Sequence, residues 1–210
     1  MDCDVVPALP ADREAVIATV VAAFAADPAF RFFFPDDATY PGHAAAFAGY
    51  LFDQRVAKGT VWICAGGAVA ALWDGPAVRS TEPNLAPTPA QPAVLDLPAD
   101  VRERIDRYDA AVHAVLPAYP HWYLGILATR PDHAGRGLGR QLMAAGVTSA
   151  HADGSPAVLE TMNPSNVELY QRAGWQLHGQ TQRADVPTTW VLVNPPAAAR
   201  DPRQREGAAA

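Results

Sequence analysis

The sequence predicts an α/β fold in which helices flank a mixed sheet, and three observations support this prediction. Short apolar runs typical of strands alternate with segments in which apolar residues recur at helical spacing. The segment His121–Leu142 joins an apolar strand to a glycine-rich loop and then to a helix. Half of the 210 residues are hydrophobic, so the chain can bury a substantial core. We therefore expect one domain over residues 1–194, with an insertion at 75–117.

The amino-terminal part of the chain predicts a short strand and a helix. Cys3–Pro7 is the strand candidate, and Asp12 is placed to cap a helix that ends near Phe24. Four phenylalanines follow between residues 30 and 34. So dense a group of aromatic residues either packs in the core or lines the mouth of a pocket, and we expect core packing for most of them.

A second helix and a β-hairpin come next. The helix is predicted over Ala44–Val56, and the hairpin joins Val61–Cys64 to Ala68–Trp73 through two glycines. One face of the helix is expected to carry Phe47, Tyr50, Leu51 and Gln54.

The insertion at 75–117 has two parts with different patterns. Residues 75–98 are rich in proline, threonine and alanine and have no periodicity, which predicts a loop or a lid. From Asp100 the apolar residues return at helical spacing until Pro117, which predicts a third helix. This insertion could cover an active site. A second aperiodic segment, at 195–210, is expected to be a disordered tail.

The second half of the chain predicts strands and helices in alternation. The strands are expected at Tyr123–Thr129, Ala157–Thr161, Trp175–Gln182 and Thr188–Val193, and the helices at Leu138–Ala150 and Asn166–Arg172. The side chain of Asn163 is a plausible cap for the last helix.

Charge and composition exclude several classes of function. Lysine and arginine number 16 against 22 acidic residues, and the resulting net charge of -6 argues against nucleic acid as the main partner. The first residues lack the basic segment of a secretory signal, and no apolar run is long enough to span a bilayer. We expect a cytoplasmic protein, either a monomer or a homodimer, that has no membrane partner.

Cysteine and histidine are too sparse to suggest structural cross-links or a metal site. Cys3 and Cys64 are far apart in the chain, and we interpret both as small buried hydrophobic residues. No group of histidine, cysteine and aspartate has the spacing of metal ligands, so no metal is predicted.

The glycine-rich loop predicts a phosphate-binding site. Gly135, Gly137 and Gly139 allow successive backbone N–H groups to point at one anion, and the helix that follows adds the positive end of its dipole. The spacing G-x-G-x-G differs from the G-x-G-x-x-G of dinucleotide-binding folds, and three residues separate the strand from the loop. The loop alone would also suit an ordinary turn before a helix.

The loop resembles the acyl-CoA diphosphate loop of the GNAT superfamily of N-acetyltransferases, whose pattern is Gln/Arg-x-x-Gly-x-Gly/Ala. Here the first position is Ala134, which removes a side-chain contact and keeps the backbone donors. Further motifs are similar to the puromycin N-acetyltransferase group within that superfamily. These are AFAADPAFRFFFPD, HWYL, PDHAGRGLG, LET, NPSNVELYQRAGW and PTTW. The resemblance implies the GNAT fold, with a mostly antiparallel sheet that is splayed between its fourth and fifth strands.

The resemblance also implies roles for individual residues. Tyr170 would protonate the departing CoA thiolate, and a phenol with a pKa of about 10 keeps its proton at neutral pH. Glu160 would either accept the proton of the amine or bind a cationic acceptor. The CoA contacts would come from Leu127, Ala128, Thr129, Ala134, Gly135, Arg136, Gly137, Leu138, Gly139, Arg140, Asn163 and Asn166. Tyr108, His113, His121 and Trp190 are weaker candidates for the acceptor pocket.

The function implied is acetyl transfer from acetyl-CoA to a primary amine of a small molecule, by direct attack in a ternary complex. A puromycin-like antibiotic or an amine metabolite would be the acceptor. Two alternatives stay open. One is a protein or peptide N-acetyltransferase, which needs a groove open to a chain, and the other is an acyl-CoA-binding sensor without activity.

Overall fold

A seven-stranded mixed sheet forms the centre of the protein in a computed structural model that describes residues 3–76 and 97–196. The strands are β1 (Val6–Pro7), β2 (Val61–Cys64), β3 (Val69–Asp74), β4 (Trp122–Thr129), β5 (Ala157–Thr161), β6 (Gln176–Gln180) and β7 (Trp190–Asn194). Their order is β1-β2-β3-β4-β5-β7-β6. All neighbouring strands are antiparallel except β4 and β5, which run parallel. The predicted α/β fold is confirmed.

Helices cover both faces of the sheet. Within the described ranges they are α1 (Arg13–Ala23), α2 (Pro28–Phe33), α3 (Tyr40–Val56), α4 (Ala99–His113), α5 (Leu138–Ala152) and α6 (Pro164–Arg172). The first four pack into one apolar cluster on one face, and α5 packs into a second cluster on the other. No helix in residues 3–76 and 97–196 has the length and apolar character needed to cross a bilayer.

A β-bulge changes the direction of side chains halfway along β4. Leu72 pairs with Ile126, but Trp73 pairs with Leu124, so Gly125 is the extra residue. As a result Leu124 packs with the cluster under α5, whereas Ile126 packs with the cluster under α1–α4. The bulge thus lets one strand contribute large side chains to both cores.

The parallel pairing of β4 with β5 is short. It covers residues 122–124 against 157–159 and does not continue to the carboxyl ends of the two strands. Beyond Leu124, β4 still pairs with β3 as far as Thr129, so only the side that faces β5 loses its partner. This separation confirms the predicted splay between the fourth and fifth strands.

Several predicted elements need correction. The segment after Asp27 contains a helix, α2, because the Asp27 carboxylate accepts hydrogen bonds from Ala29 N and Phe30 N at 2.9 and 3.3 Å. Helix α3 begins at Tyr40, ahead of the predicted start, since proline is compatible with the first turn of a helix. On the predicted face of this helix, Phe47 and Leu51 pack against the core and Gln54 is exposed. Ala44, Ala48 and Phe52 are more deeply buried.

The interpretation of the two cysteines was wrong, because Cys3 and Cys64 form a disulfide with Cα atoms 6.0 Å apart. The antiparallel register of β1 on β2 pairs Val6 with Ile63 and so directs the preceding residues toward the end of β2. The N–H of Cys3 also donates to Gln141 Oε1 on α5 at 3.1 Å. The disulfide therefore ties the amino-terminal strand to the sheet beside α5.

Two predictions lie mostly outside the described residues. These are the loop or lid at 75–98 and the tail at 195–210. The described part of the insertion contains α4, which buries Val101, Ile105, Tyr108 and Val112 against the cluster under α1–α4.

Candidate active site

A cavity of about 920 Å³ lies where β4 and β5 separate. Its walls come from both strands and from α2, α3, α4 and α6. Six of the predicted site residues line it: Leu127, Thr129, Glu160, Asn163, Asn166 and Tyr170. The structure therefore brings both predicted catalytic residues and part of the predicted CoA contacts to one place.

Glu160 projects from the end of β5 into this cavity. The hydroxyl of Tyr108 donates to Glu160 Oε1 at 3.2 Å, and Glu160 Oε2 is buried without a hydrogen-bond partner in the part of the chain that the structure describes. Burial raises the pKa of Glu160 to about 7, although the hydroxyls of Tyr123 and Tyr108 oppose this by stabilising the charged form. The carboxylate of Asp109 raises this pKa further. Near neutral pH the group can therefore both accept and release a proton.

Tyr170 lies on α6 and lines the same cavity. Its ring packs against Trp175 with the centroids 6.2 Å apart. Burial raises the pKa of Tyr170 to about 12, and the negative charges of Glu160 and Asp27 act in the same direction. The hydroxyl is therefore protonated at neutral pH and can donate a proton or a hydrogen bond.

The part of β4 beyond the bulge offers main-chain groups to a ligand. Leu127 and Thr129 line the cavity, whereas the side chain of Ala128 is fully buried in the core. The strand pairs with β3 on one side only, so peptide groups on the other side face the opening between β4 and β5. An extended arm with amide groups fits this opening by strand addition.

The glycine-rich loop lies beyond the cavity, at the beginning of α5. Gly135 and Gly137 have φ angles of +75° and +76°, which favour glycine. Helix α5 begins at Leu138, whose side chain is buried, and the first N–H groups of a helix have no partner within it. Ala134, Arg136 and Arg140 are exposed on this loop and at the start of the helix. These features suit an anion, and diphosphate binding by the loop stays a prediction.

The loop and the β4 opening are adjacent. A Cβ atom on Gly139 would come within 3.0 Å of Thr129 Oγ1. Glycine at this position therefore allows the first turn of α5 to approach the end of β4. Arg136 Nη2 donates to Asp132 O at 3.1 Å, which fixes its side chain across the turn before the loop.

The two asparagines have structural contacts of their own. Asn163 Oδ1 accepts a hydrogen bond from Ser165 N at 3.0 Å, so it is the predicted cap of α6. Asn166 Nδ2 donates to Thr161 Oγ1 at 3.4 Å. Both side chains still border the cavity, and CoA contacts by them stay a prediction.

Opposite β4 the cavity wall is largely apolar and aromatic. Here α2 and α3 present Phe30, Phe33, Phe47, Tyr50 and Leu51, and α4 presents Ile105 and Val112. Phe47, Tyr50 and Leu51, predicted to share one face of α3, all line the cavity.

Carboxylates other than Glu160 also border the cavity. Asp27 and Asp109 are among them, and Asp74 forms an ion pair with Arg55. Sequence reasoning did not select Asp27, Asp109 or Tyr123 for the site. Two features of the sequence could have pointed to the aspartates. Asp27 precedes Pro28 and so marks the start of a helix, and Asp109 follows the pocket candidate Tyr108.

The weaker candidates fall in different places. Tyr108 and His121 line the cavity, and His121 Nδ1 is 2.8 Å from Tyr119 O. His113 is exposed at the cavity mouth. Trp190 packs in the cluster under α5 and is not among the cavity residues. In the ranges that the structure describes, no three histidine, cysteine, aspartate or glutamate side chains are grouped as a metal site would need.

The segment that builds this site matches a known family. Residues 104–175, from α4 through β4, the loop, α5, β5 and α6, match the family described as "Acetyltransferase (GNAT) family".

Solved structures share the fold across almost the whole chain. One of a histone acetyltransferase HPA2 and related acetyltransferase from Corynebacterium glutamicum has a TM-score of 0.68 at 24% identity, over 94% of this chain and 98% of that chain. A mosquito arylalkylamine N-acetyltransferase like 5b has a TM-score of 0.58 at 14% identity, over 91% and 99%. The NatC complex bound to Gag peptide and CoA has a TM-score of 0.53 at 13% identity, over 93% and 99%. This chain has the GNAT fold, and its site-building segment matches the GNAT acetyltransferase family.

Proposed function

We propose that the protein is an acetyl-CoA-dependent N-acetyltransferase that acetylates a primary amine of a small molecule. One observation carries the proposal above all others. Glu160 and Tyr170, a carboxyl group and a protonated phenol, line one cavity that opens onto the unpaired side of β4. Acetyl transfer needs these functions together: a proton acceptor for the amine, a donor for the thiolate and a place for the acyl carrier.

The cofactor site in this proposal runs from the loop at 134–140 to the end of β4 near Leu127. Acetyl-CoA supplies the activated acetyl group as a thioester. The loop N–H groups bind its diphosphate, and main-chain groups of Leu127 and Thr129 bind the amides of its arm. The N–H of Leu127 polarises the carbonyl under attack, as backbone donors do in oxyanion holes.

Glu160 prepares the acceptor. Its pKa of about 7 lets it take a proton from the bound ammonium group, directly or through water, at neutral pH. In its charged form it also attracts the cationic amine, so the base role and the anchor role both stay open. Tyr170 then gives its proton to the departing thiolate and regains one from solvent.

The acceptor is expected to have an apolar or aromatic body. The wall formed by α2, α3 and α4 is lined by phenylalanines and aliphatic side chains, which contribute affinity by burying apolar surface. Puromycin-like antibiotics and aryl amine metabolites combine such a body with a primary amine. The mosquito neighbour is named for an arylalkylamine substrate, which makes this class the first to test.

A free-thiol assay over a panel of amines tests the proposal. The panel contains puromycin, arylalkylamines, aliphatic amines and peptides with free amino termini, and thermal shift with acetyl-CoA is measured beside it. We expect stabilisation by acetyl-CoA, and CoA release with small amines. Release with peptides only would favour the peptide acetyltransferase, and stabilisation without release for any amine would favour the sensor. The absence of stabilisation by acetyl-CoA would refute all three.

A further inference from the structure

We propose that Tyr108 is a positioning residue for acetyl transfer: it holds one oxygen of Glu160, so that the other faces the acceptor. The inference rests on the proposed function and extends it to a residue of α4 that does not touch the reacting atoms. Its basis is the contact between the Tyr108 hydroxyl and Glu160 Oε1 at 3.2 Å.

The ring of Tyr108 is firmly placed. The residue is only 6% exposed, and its ring meets that of Phe33 edge-on with the centroids 5.0 Å apart. Ile105 and Val112, one turn before and one turn after it on α4, are buried in the same cluster. A hydroxyl on such an anchored ring has little freedom to leave its partner.

The two oxygens of Glu160 have different surroundings. Oε1 accepts from Tyr108, whereas Oε2 is buried and has no hydrogen-bond partner among residues 3–76 and 97–196. A buried carboxylate oxygen without a donor costs free energy unless a ligand supplies one. An ammonium group in the cavity is a donor of this kind, so the arrangement leaves Oε2 ready for the acceptor.

The groups around Glu160 predict how a loss of the Tyr108 hydroxyl would act. Burial and the charge of Asp109 raise the pKa of Glu160, whereas the neighbouring hydroxyls of Tyr123 and Tyr108 lower it. Tyr170, on α6, faces the same carboxylate as a neutral phenol. Removing one donor therefore raises the pKa of Glu160 above about 7 and leaves the carboxyl group less restrained.

The test is the variant Tyr108→Phe, which keeps the ring against Phe33. We expect the ascending limb of the pH profile of kcat/KM to move to higher pH by about one unit, because the charged form of Glu160 loses a hydrogen bond that stabilises it. At pH 7 this lowers kcat/KM by about fivefold, because the deprotonated fraction of Glu160 falls from about one half to about one tenth. The KM for acetyl-CoA should not change, since Tyr108 lies on the acceptor side.

A matched control separates positioning from stability. Tyr40 is also a buried tyrosine of the same cluster, and its hydroxyl donates to Val21 O at 2.9 Å. Tyr40→Phe removes a buried hydrogen bond without touching Glu160. It should lower the melting temperature to a similar extent and leave the pH profile as in the wild type.

A double-mutant cycle completes the test. If Tyr108 acts through Glu160, Tyr108→Phe should have no further effect on kcat/KM in a Glu160→Gln background. An effect of equal size in both backgrounds, or a profile identical to that of Tyr40→Phe, would overturn the inference while leaving the proposed function intact. A wild-type enzyme that releases no CoA with any amine would instead refute the proposed function.

Discussion

Thr129 Oγ1 lies so close to Gly139 that a Cβ atom on the glycine would come within 3.0 Å of it. The contact joins the end of β4 to the first turn of α5. The proposed arm and diphosphate sites meet at this point, so the spacing of the two elements sets the path of the acyl carrier.

Gly139→Ala should therefore weaken acetyl-CoA binding without harming the fold. The methyl group must push Thr129 aside by a few tenths of an ångström, and we expect the KM for acetyl-CoA to rise by up to about tenfold, equivalent to about 1.4 kcal/mol. Alanine favours a helix over glycine, so the melting temperature should not fall. Gly42→Ala is the control, because Gly42 also lies in a helix and a Cβ there meets nothing within 4 Å. An unchanged KM for Gly139→Ala would contradict the proposed course of CoA.

Tyr170→Phe should lower turnover and spare cofactor binding. The variant removes the proposed proton donor while it keeps the ring beside Trp175. General acid catalysis by a side chain contributes about 100-fold or more, so kcat should fall by that factor. Isothermal titration should show the wild-type affinity for acetyl-CoA. An unchanged kcat, with single-turnover data showing that chemistry limits the rate, would remove the role of Tyr170.

Glu160→Gln distinguishes a base from an anchor. If Glu160 is the base, the ascending limb of kcat/KM near pH 7 disappears in the variant, and only the limb due to ionisation of the amine itself is left. If Glu160 only binds the cationic acceptor, the KM for the amine rises and kcat changes little. The profile must be measured with an amine whose own pKa lies well above that limb.

The difference in stability between Glu160→Gln and the wild type should depend on pH. Burial raises the pKa of Glu160 from 4.5 to about 7, so the folded protein holds this proton more tightly than the unfolded chain. The tighter binding of this proton adds to the free energy of unfolding. This contribution is complete below about pH 4.5 and is lost as the pH rises through about 7. Near pH 8 we expect Glu160→Gln to be more stable than the wild type by about 3 kcal/mol, and near pH 4.5 the difference should be small. Equal stabilities at both pH values, from urea unfolding, would show that the carboxyl group is not desolvated.

Reduction should destabilise the protein through the Cys3–Cys64 disulfide. The bond joins residues 61 positions apart, and closing a loop of this length lowers the entropy of the unfolded chain by an amount worth up to about 4 kcal/mol. Dithiothreitol should lower the melting temperature of the wild type and have no effect on Cys64→Ser. Disulfides are rare in the cytosol, so thiol trapping in cells also tests the predicted cytoplasmic location.

The segment from β4 to α6, which carries both catalytic candidates, was predictable because its motifs are short and contiguous in the sequence. The predicted strand Ala157–Thr161 has the bounds of β5, and the predicted helix after the loop begins at Leu138, as α5 does. The two catalytic candidates follow from motifs close to each other in the sequence. Their meeting in one cavity depends on the separation of β4 from β5, which the family resemblance implied and the strand pairing confirms.

The cavity wall formed by α2, α3 and α4 was harder to predict, because tertiary packing decides which side chains reach the cavity. Helix α3 buries Ala44 and Ala48 where it lies close to α1 and the sheet, and so turns its large residue Phe47 to the cavity. The pattern of large apolar residues, Phe47, Tyr50 and Leu51, instead marks the face of α3 that borders the cavity. The contact of Tyr108 with Glu160 spans 52 residues of chain, and no spacing rule connects them.

The short pairing of β4 with β5 has a consequence for the protein without its ligand. A sheet normally shields its central amides from exchange with solvent, but here a row of them borders an opening in the middle of the molecule. In the proposed function, the arm of the acyl carrier pairs with these amides and fills the gap between β4 and β5. Loading with cofactor should then be visible as slowed deuterium uptake at residues 125–129, a signature that marks occupancy even when no acceptor is known.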